Sequence, residues 1–162
     1  MRPYVYDCLK QAKKYYQVVI FTASHKSYAD AVLDTLEEEF RRDVYLTEEE
    51  RHIIEQKPES ERQAAIRELK REQKLIDYRL YREHCYKTSE NVFIKDLRIL
   101  KNKDLSQVLI VDNAVYSFGF QLSNGIPIIP FYDSHTTNIN DEELVHLVYY
   151  FSCIVESEDV RV

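Results

Sequence analysis

The sequence is poor in the residues that make flexible links and phosphate-cradling loops. Its 162 residues include two glycines, four prolines and no tryptophan. So few glycines exclude a glycine-rich phosphate loop, and they also exclude a flexible linker between two domains. At this length, and without a linker, residues 1–162 are predicted to form one domain with its own core.

Positive charge and long apolar runs are also scarce. The net charge is −6, which argues against general nucleic-acid binding. No secretory signal is visible, and the longest apolar stretch, 144–155, is too short to span a membrane and is interpreted as a buried helix. We therefore expect no nucleic-acid partner and no membrane span.

The three cysteines, Cys8, Cys85 and Cys153, are an odd number without the spacing of metal ligands. We interpret them as buried, reduced thiols and not as disulfides or a redox site. The same pattern predicts an intracellular, reducing compartment. The nucleus or cytoplasm is favoured, and a mitochondrial location stays open.

Helical and strand patterns alternate along most of the chain. The predicted elements are, in order, a helix with a stripe of Val5, Cys8, Leu9, Ala12 and Tyr16; a strand at 17–21 ("QVVIF") buried on both faces; a helix with Tyr28, Val32, Leu33 and Leu36; a β-ribbon within 78–97; a strand at 107–111; a strand within 124–133; and a helix from about Asp141 with Leu144, Leu147, Val148 and Phe151. This order is typical of an α/β fold with a largely parallel sheet.

Residues 37–77 interrupt this alternation with a charged segment, in which more than half of the residues carry a charge. Capping-box patterns at Thr47/Glu50 and Ser60/Gln63 predict two helices, at 48–57 and 61–77. We expect a helical insertion that can be separated from the core. A solvated helical hairpin is favoured, and a docking arm for a partner is the alternative.

Polar residues stand where three of the predicted strands end. Thr22 follows the first strand, Lys95 and Asp96 follow "VFI", and Asp112 and Asn113 follow "VLIV". Each has an ordinary explanation: a helix cap, a surface lysine or partner of Asp96, and a turn. Because ligands bind beyond the carboxyl ends of parallel strands, the hydroxyl, cation, carboxylate and amide together suit magnesium-dependent phosphoryl transfer.

Several segments, in this order, carry a resemblance: "RPYVYDCL", "FTASHKSYADAVLD", "YRLYREHC", "FIKDL" and "VLIVDNAVYSFGFQLSNGIPIIPF". They resemble the FCP/SCP-type phosphatases of the haloacid dehalogenase superfamily, which include the small phosphatases of the RNA polymerase II C-terminal domain and the Dullard-type phosphatases. The resemblance covers nearly the whole chain except 37–77. It implies a haloacid dehalogenase-like, Rossmannoid parallel sheet flanked by helices, and an Mg²⁺-dependent phosphoserine/threonine protein phosphatase that forms an aspartyl-phosphate.

The resemblance also implies roles for four positions. Thr22 would hydrogen-bond the transferring phosphoryl group, and Lys95 would neutralise it and orient the nucleophile. Asn113 would ligate Mg²⁺, and Asp112 would hold the shell of the metal, directly or through water. These roles make Thr22 and Lys95 the candidate catalytic residues and Asp112 and Asn113 the candidate metal residues.

One family feature is missing from the sequence. The family places its nucleophile and its general acid/base in a D-x-D-x-T/V block on the first, central strand, which normally precedes "RPYVYDCL"; here no D-x-D occurs. Nothing in the chain replaces these two carboxylates, so we expect this chain alone to be inactive. We also expect that another segment or chain fills the place of the missing strand; direct pairing of 17–21 with 107–111 is the alternative.

Three functions remain open from the sequence. The first is a phosphoserine/threonine protein phosphatase domain seen without its first strand, with a phosphoprotein as its partner. The second is a pseudophosphatase that acts as a binding or scaffold subunit of a larger assembly, much as the mitochondrial inner-membrane presequence receptor resembles this domain and binds its cargo. A small-molecule phosphatase is less favoured, because no cap domain is apparent.

Overall fold

A computed structural model of the chain describes residues 1–43, 46–132 and 140–161. In chain order the elements are α1 (Val5–Ala12), β1 (Val19–Phe21), α2 (Lys26–Asp43), α3 (Glu48–Glu55), α4 (Glu59–Glu72), β2 (Tyr78–Leu80), β3 (Tyr86–Lys87), β4 (Phe93–Ile94), β5 (Ile110–Asp112), β6 (Gly125–Pro127) and α5 (Glu143–Ile154). Short 3₁₀ turns connect the strands of the second half.

The described strands form three separate pairs. β1 pairs with β2 and β5 pairs with β6, both in parallel, whereas β3 and β4 are antiparallel. Helices and parallel strands therefore confirm the α/β class, although the described residues do not join into one continuous sheet. The ribbon predicted over 78–97 is wrong in its first part, because β2 is the parallel partner of β1 and only β3 and β4 form a ribbon.

The first core cluster surrounds β1. It consists of the buried residues Ala12, Val18, Leu33, Leu36, Leu75 and Ile76. The predicted stripe of α2 is confirmed at Leu33 and Leu36, but Tyr28 and Val32 are exposed and Ala29 is buried instead. The helix buries a narrower face than its apolar residues suggested, because the core covers it from one side only.

A second cluster surrounds β5. It contains Leu97, Val108, Ile110 and Phe118. Gly125 begins β6 against the Phe118 ring, and a Cβ at this position would stand 2.0 Å from a ring carbon. No real Cβ makes so close a contact, so glycine is required here by the packing of Phe118.

Helices α1 and α5 join the two halves. Cys8 of α1 packs with Leu144 and Leu147 of α5, and Val111 and Ile126 pack against the same cluster. The predicted apolar stripes of both helices are thereby confirmed. The Tyr16 hydroxyl adds a hydrogen bond of 2.7 Å to the carbonyl of Phe151 in α5.

The insertion is helical, as predicted, but only one of its two capping boxes forms. Glu50 N donates to Thr47 Oγ1 (3.2 Å), and Thr47 N donates to Glu50 Oε2 (2.7 Å). The box at Ser60 is wrong, since α4 is capped by Pro58 and begins at Glu59. Because α4 begins at Glu59, Ser60 lies inside the first turn and is not the residue that precedes the helix, so it cannot act as its N-cap.

Glu37 ties the end of the insertion to the core. Its carboxylate is only 3% exposed and accepts hydrogen bonds from Leu75 N (3.1 Å) and Ile76 N (2.9 Å). Both of those residues are themselves buried in the first cluster. Glu37 belongs to α2, so both ends of the segment 37–77 are part of the core, and a separable arm is a prediction only for the residues between them.

Among the residues that the structure describes, β1 and β5 each pair with a strand along one edge only. Thr22 N donates to Leu80 O (2.9 Å), and Ile128 N donates to Asp112 O (3.1 Å). In a parallel ladder alternate residues bond to the same neighbour, so the main-chain groups of Val19, Phe21 and Val111 point to the opposite edges. No strand in the described ranges pairs there, and β1 is half-buried, not buried on both faces as predicted.

Candidate active site

Three strand ends supply the candidate site. Thr22 comes directly after β1, Lys95 comes directly after β4, and Asp112 is the last residue of β5. Cys85 indicates that the ends of β1 and β5 lie near each other. Its Sγ is 3.9 Å from the Thr22 carbonyl oxygen, and the charges of Lys95 and Asp112 act on its thiol.

Lys95 and Asp112 form an ion pair at the centre of the site. Lys95 Nζ donates to Asp112 Oδ2, and the two side chains are 12% and 8% exposed. The backbone holds both partners: Lys95 N donates to Ser117 O (2.6 Å), and Ala114 N donates to Asp112 Oδ1 (2.8 Å). The alternative that Lys95 pairs with Asp96 is wrong, because Asp96 pairs with Arg98.

The pKa of Asp112 is lowered from its ordinary value. Burial by itself would raise the pKa of this carboxyl, but the Lys95 ammonium and the Ala114 N–H outweigh burial. Asp112 is therefore a carboxylate at neutral pH. Its two oxygens are both engaged, one by Lys95 and one by the turn that follows β5, so the structural interpretation of a turn at this position is also correct.

Thr22 offers a hydroxyl donor at the edge of the site. Its Oγ1 accepts a hydrogen bond from Ser24 N (3.0 Å), which fixes the side chain against the loop. Because a hydroxyl both accepts and donates, the O–H of Thr22 keeps its donor function for a ligand. Asn113 differs: its side chain is exposed, and it makes no hydrogen bond with any residue that the structure describes.

Two residues near Thr22 are not among the site residues that the sequence predicts. Arg82 Nε donates to Ala23 O (2.6 Å), so its guanidinium is held beside the loop that carries Thr22. Cys85 is half-buried next to it, and burial raises the pKa of its thiol although Lys95 and Arg82 act in the opposite direction. The segment "YREHC" follows β2, and β2 ends beside Thr22 because it pairs in parallel with β1. The sequence alone does not indicate this pairing.

The predicted burial of the cysteines is confirmed for one of the three thiols. Cys8 is buried, and burial raises the pKa of its thiol to about 11. Cys85 is half-buried and Cys153 is exposed. The prediction of burial is therefore wrong for Cys153, which lies on the exposed face of α5. Because apolar residues run along this helix, the sequence does not distinguish its buried face from its exposed face.

The residues that the structure describes do not form a complete metal site. Among residues 1–43, 46–132 and 140–161 no group of three or more His, Cys, Asp or Glu residues could hold a metal ion. Asp112 supplies one carboxylate, whose oxygens already bind Lys95 and Ala114, and Asn113 supplies one amide. These donors by themselves do not fit Mg²⁺, which needs near-octahedral oxygen coordination.

A comparison with known protein families identifies the family to which the chain belongs. The family described as NLI interacting factor-like phosphatase matches residues 1–59 and 49–161 of the chain. The chain belongs to this family. It carries the FCP/SCP-type phosphatase domain of the haloacid dehalogenase superfamily, as its sequence segments predict.

Named relatives support the same assignment. The chain is 32% identical over 160 residues to a CTD small phosphatase-like protein 2 of Dictyostelium discoideum and 34% identical over 162 residues to a CTD small phosphatase-like protein 3 of Caenorhabditis elegans. It is 28% identical over 169 residues to the nuclear envelope morphology protein 1 of Saccharomyces cerevisiae.

The matches use almost all of this chain but only part of each relative. Each alignment covers 99% of the chain and 21%, 43% and 30% of these three proteins, respectively. The relatives therefore contain much more than this domain. In the described part of the chain, no helix is long and apolar enough to cross a membrane.

Proposed function

We propose that this chain is the phosphate-binding part of a phosphoserine/threonine protein phosphatase domain, and that it becomes active only when an additional strand carrying the D-x-D carboxylates joins it. The observation that carries the proposal is that, within the described part of the chain, no strand pairs with one edge of β1 and one edge of β5 beside the Thr22, Lys95 and Asp112 site. Family membership supplies the reaction class, and the sequence supplies no nucleophile of its own.

The residues present suit recognition of a phosphoryl group. The Thr22 hydroxyl is a neutral donor, and the Lys95 ammonium is a nearly buried cation, so together they can hydrogen-bond and neutralise phosphate oxygens. Such binding stabilises the ground state and the transition state alike, and it gives no turnover without a group that attacks phosphorus. Turnover is therefore assigned to the additional strand.

The additional strand would supply hydrogen-bond partners and carboxylate oxygens to several groups at once. Its main chain could pair with Val19 and Phe21 on one side and with Val111 on the other, as extended segments pair with exposed sheet edges. Its carboxylates would reach Lys95, which now pairs with Asp112. They would also join Asp112 and Asn113 as oxygen donors, and Mg²⁺ binding is proposed only for this completed site.

A second candidate function is that of a binding or scaffold subunit without catalysis. The missing D-x-D favours it, and so does the exposed, charged pair of helices α3 and α4. Two relatives are named for nuclear envelope morphology and not for a hydrolytic activity. A nuclear or cytoplasmic location suits both candidates.

Complementation with a synthetic strand tests the proposal. The chain is mixed with a peptide of five apolar residues followed by D-x-D-x-T, and Mg²⁺-dependent hydrolysis of an aryl phosphate is measured. We expect background rates from the chain alone and clear turnover from the mixture. The matched peptide with N-x-N in place of D-x-D should give none, and Lys95→Met should abolish the gain.

Two outcomes would overturn the phosphatase proposal. Hydrolysis by the chain alone, lost on Asp112→Asn, would place the nucleophile within these residues. Tight binding of the D-x-D peptide without any turnover would favour the binding function instead.

A further inference from the structure

A basic cavity adjoins the candidate active site. It has a volume of about 490 Å³ and is lined by His25, Arg82, Glu83, Cys85, Lys87 and Phe93. Cys85 forms the wall that it shares with the site, since its Sγ lies 3.9 Å from the carbonyl oxygen of Thr22. A peptide whose phosphorylated side chain reaches Thr22 and Lys95 would therefore place a neighbouring side chain over this cavity.

The Arg82 guanidinium is held in one orientation at the wall of the cavity. Nε donates to Ala23 O (2.6 Å), and Nη1 lies 2.9 Å from His25 Nε2. The guanidinium also lies over the Phe93 ring, with its central carbon 5.1 Å from the ring centre. Nη2 makes no hydrogen bond with the described residues, so a planar donor group remains for a ligand.

Lys87 adds a second cation to the same cavity. Its ammonium lies 6.0 Å from the centre of the Phe93 ring, and neither Lys87 nor Arg82 forms an ion pair within the described ranges. The adjoining cavity, of about 750 Å³, differs in the pairing of its cation. That cavity shares His25 and Glu83, but its Lys26 is already paired with Asp30.

The lining of the cavity is more positive than negative. The protein is acidic overall, whereas this cavity brings Arg82 and Lys87 together with one carboxylate, that of Glu83. Two unpaired cations against the single carboxylate of Glu83 leave a local positive field. A guanidinium that is held by hydrogen bonds and keeps free N–H groups matches the planar oxygens of a carboxylate or the oxygens of a phosphate.

We propose that this cavity holds an acidic side chain of the phosphoprotein substrate, so that the protein prefers phosphoserine or phosphothreonine segments with glutamate or aspartate close to the phosphorylated residue. Arg82 binds the carboxylate through its free N–H groups, and Lys87, which also lies over the Phe93 ring, contributes charge. The proposal rests on the proposed function, because it takes the phosphate to sit at Thr22 and Lys95.

Paired peptides test the preference. Fluorescence anisotropy compares a labelled phosphoserine peptide flanked on both sides by glutamates with the same peptide flanked by glutamines. We expect the glutamate peptide to bind about fivefold more tightly, as partly exposed charge pairs allow. The overall negative charge of the protein works against this result, so the preference reports the local cavity.

Three variants test whether the preference for glutamate-flanked peptides comes from this cavity. Lys87 is exposed, so Lys87→Gln should fold normally and reduce the preference to about twofold or less. Lys101→Gln removes the same charge from an exposed turn outside the cavity and should leave the preference unchanged. Arg82→Lys keeps the charge but loses the planar donors, and it should also reduce the preference.

The outcomes separate this proposal from the one on which it rests. Equal affinity for the two phosphopeptides, with weak binding of their unphosphorylated forms, would overturn the acidic subsite and leave the phosphate site intact. A preference that falls equally with Lys101→Gln would likewise overturn it. Failure of every phosphopeptide to bind better than its unphosphorylated form would overturn both.

Discussion

Lys95 and Asp112, 17 residues apart in the chain, form a nearly buried ion pair at the point where two strands of different sheets end. The pair gives Lys95 an anionic partner when no ligand is bound. A phosphate or an added carboxylate that reaches Lys95 must compete with Asp112 for the same ammonium. The pair therefore connects the stability of the domain with its capacity to bind an anion.

Removal of the Lys95 charge should destabilise the protein. Lys95→Met leaves the Asp112 carboxylate with little solvent and no cation, so the free energy of unfolding should fall by about 3 kcal/mol at pH 7. Urea denaturation measures this change. Lys101→Met is the exposed control and should stay within about 0.5 kcal/mol of the unsubstituted chain.

The double variant Lys95→Met/Asp112→Asn decides whether the buried charge is the cause. It should recover most of the lost stability, because no unpaired carboxylate remains. If the double variant is no more stable than Lys95→Met, the loss comes from packing of the lysine stem and not from the ion pair.

Acid should weaken the domain through Asp112. The pKa of this carboxyl is lower in the folded protein than in the unfolded chain, so its contribution is fully present above the unfolded value and is lost as the pH falls through the folded value. The difference in free energy of unfolding between the unsubstituted chain and Asp112→Asn should therefore shrink below about pH 4. A difference that is independent of pH between 7 and 3 would contradict the ion pair.

Glu37 should be more important for stability than its charged surroundings suggest. Glu37→Ala removes the acceptor for the main-chain N–H groups of Leu75 and Ile76, both buried, and should lower the free energy of unfolding by about 3 kcal/mol. Glu38→Ala, its exposed neighbour, should change little. Equal effects of the two substitutions would show that the carboxylate of Glu37 does not anchor the insertion.

Gly125 should not tolerate a methyl group. Gly125→Ala places a Cβ within 2.0 Å of the Phe118 ring, which is 2% exposed, so the unfolding midpoint should fall by the equivalent of about 2 kcal/mol. Gly125→Ala combined with Phe118→Leu should be less destabilised than the sum of the single variants. Additive effects would contradict the contact.

Local patterns in the sequence predicted the helices well. The stripe of α1, the capping box of α3 and the stripe of α5 depend on residues within a few positions of one another, and each is confirmed. The strand partners depend on distant residues, and the sequence therefore predicts a ribbon at Tyr78, although Tyr78 pairs with Val19. The role of Glu37 cannot be predicted for the same reason, because its partners, Leu75 and Ile76, are far from it in the sequence.

The site was predictable as a set of residues and not as a set of contacts. The polar strand ends identified Thr22, Lys95 and Asp112, because residues at such ends gather at one edge of a parallel sheet. The pairing of Lys95 with Asp112 instead of Asp96 depends on the position of β4 relative to β5. The cavity beside Arg82 depends on the pairing of β2 with β1, which no local pattern encodes.

Amide hydrogen exchange at the strand edges tests the central claim most directly. The N–H groups of Val19, Phe21 and Val111 should exchange fast in the chain alone and at least about tenfold more slowly with the D-x-D-x-T peptide bound, because the peptide gives them acceptors. The amide of Thr22, which donates to Leu80 O, should be protected in both states. If the three edge amides are already as protected as Thr22 in the chain alone, or if the peptide leaves them unchanged, no strand is received between β1 and β5.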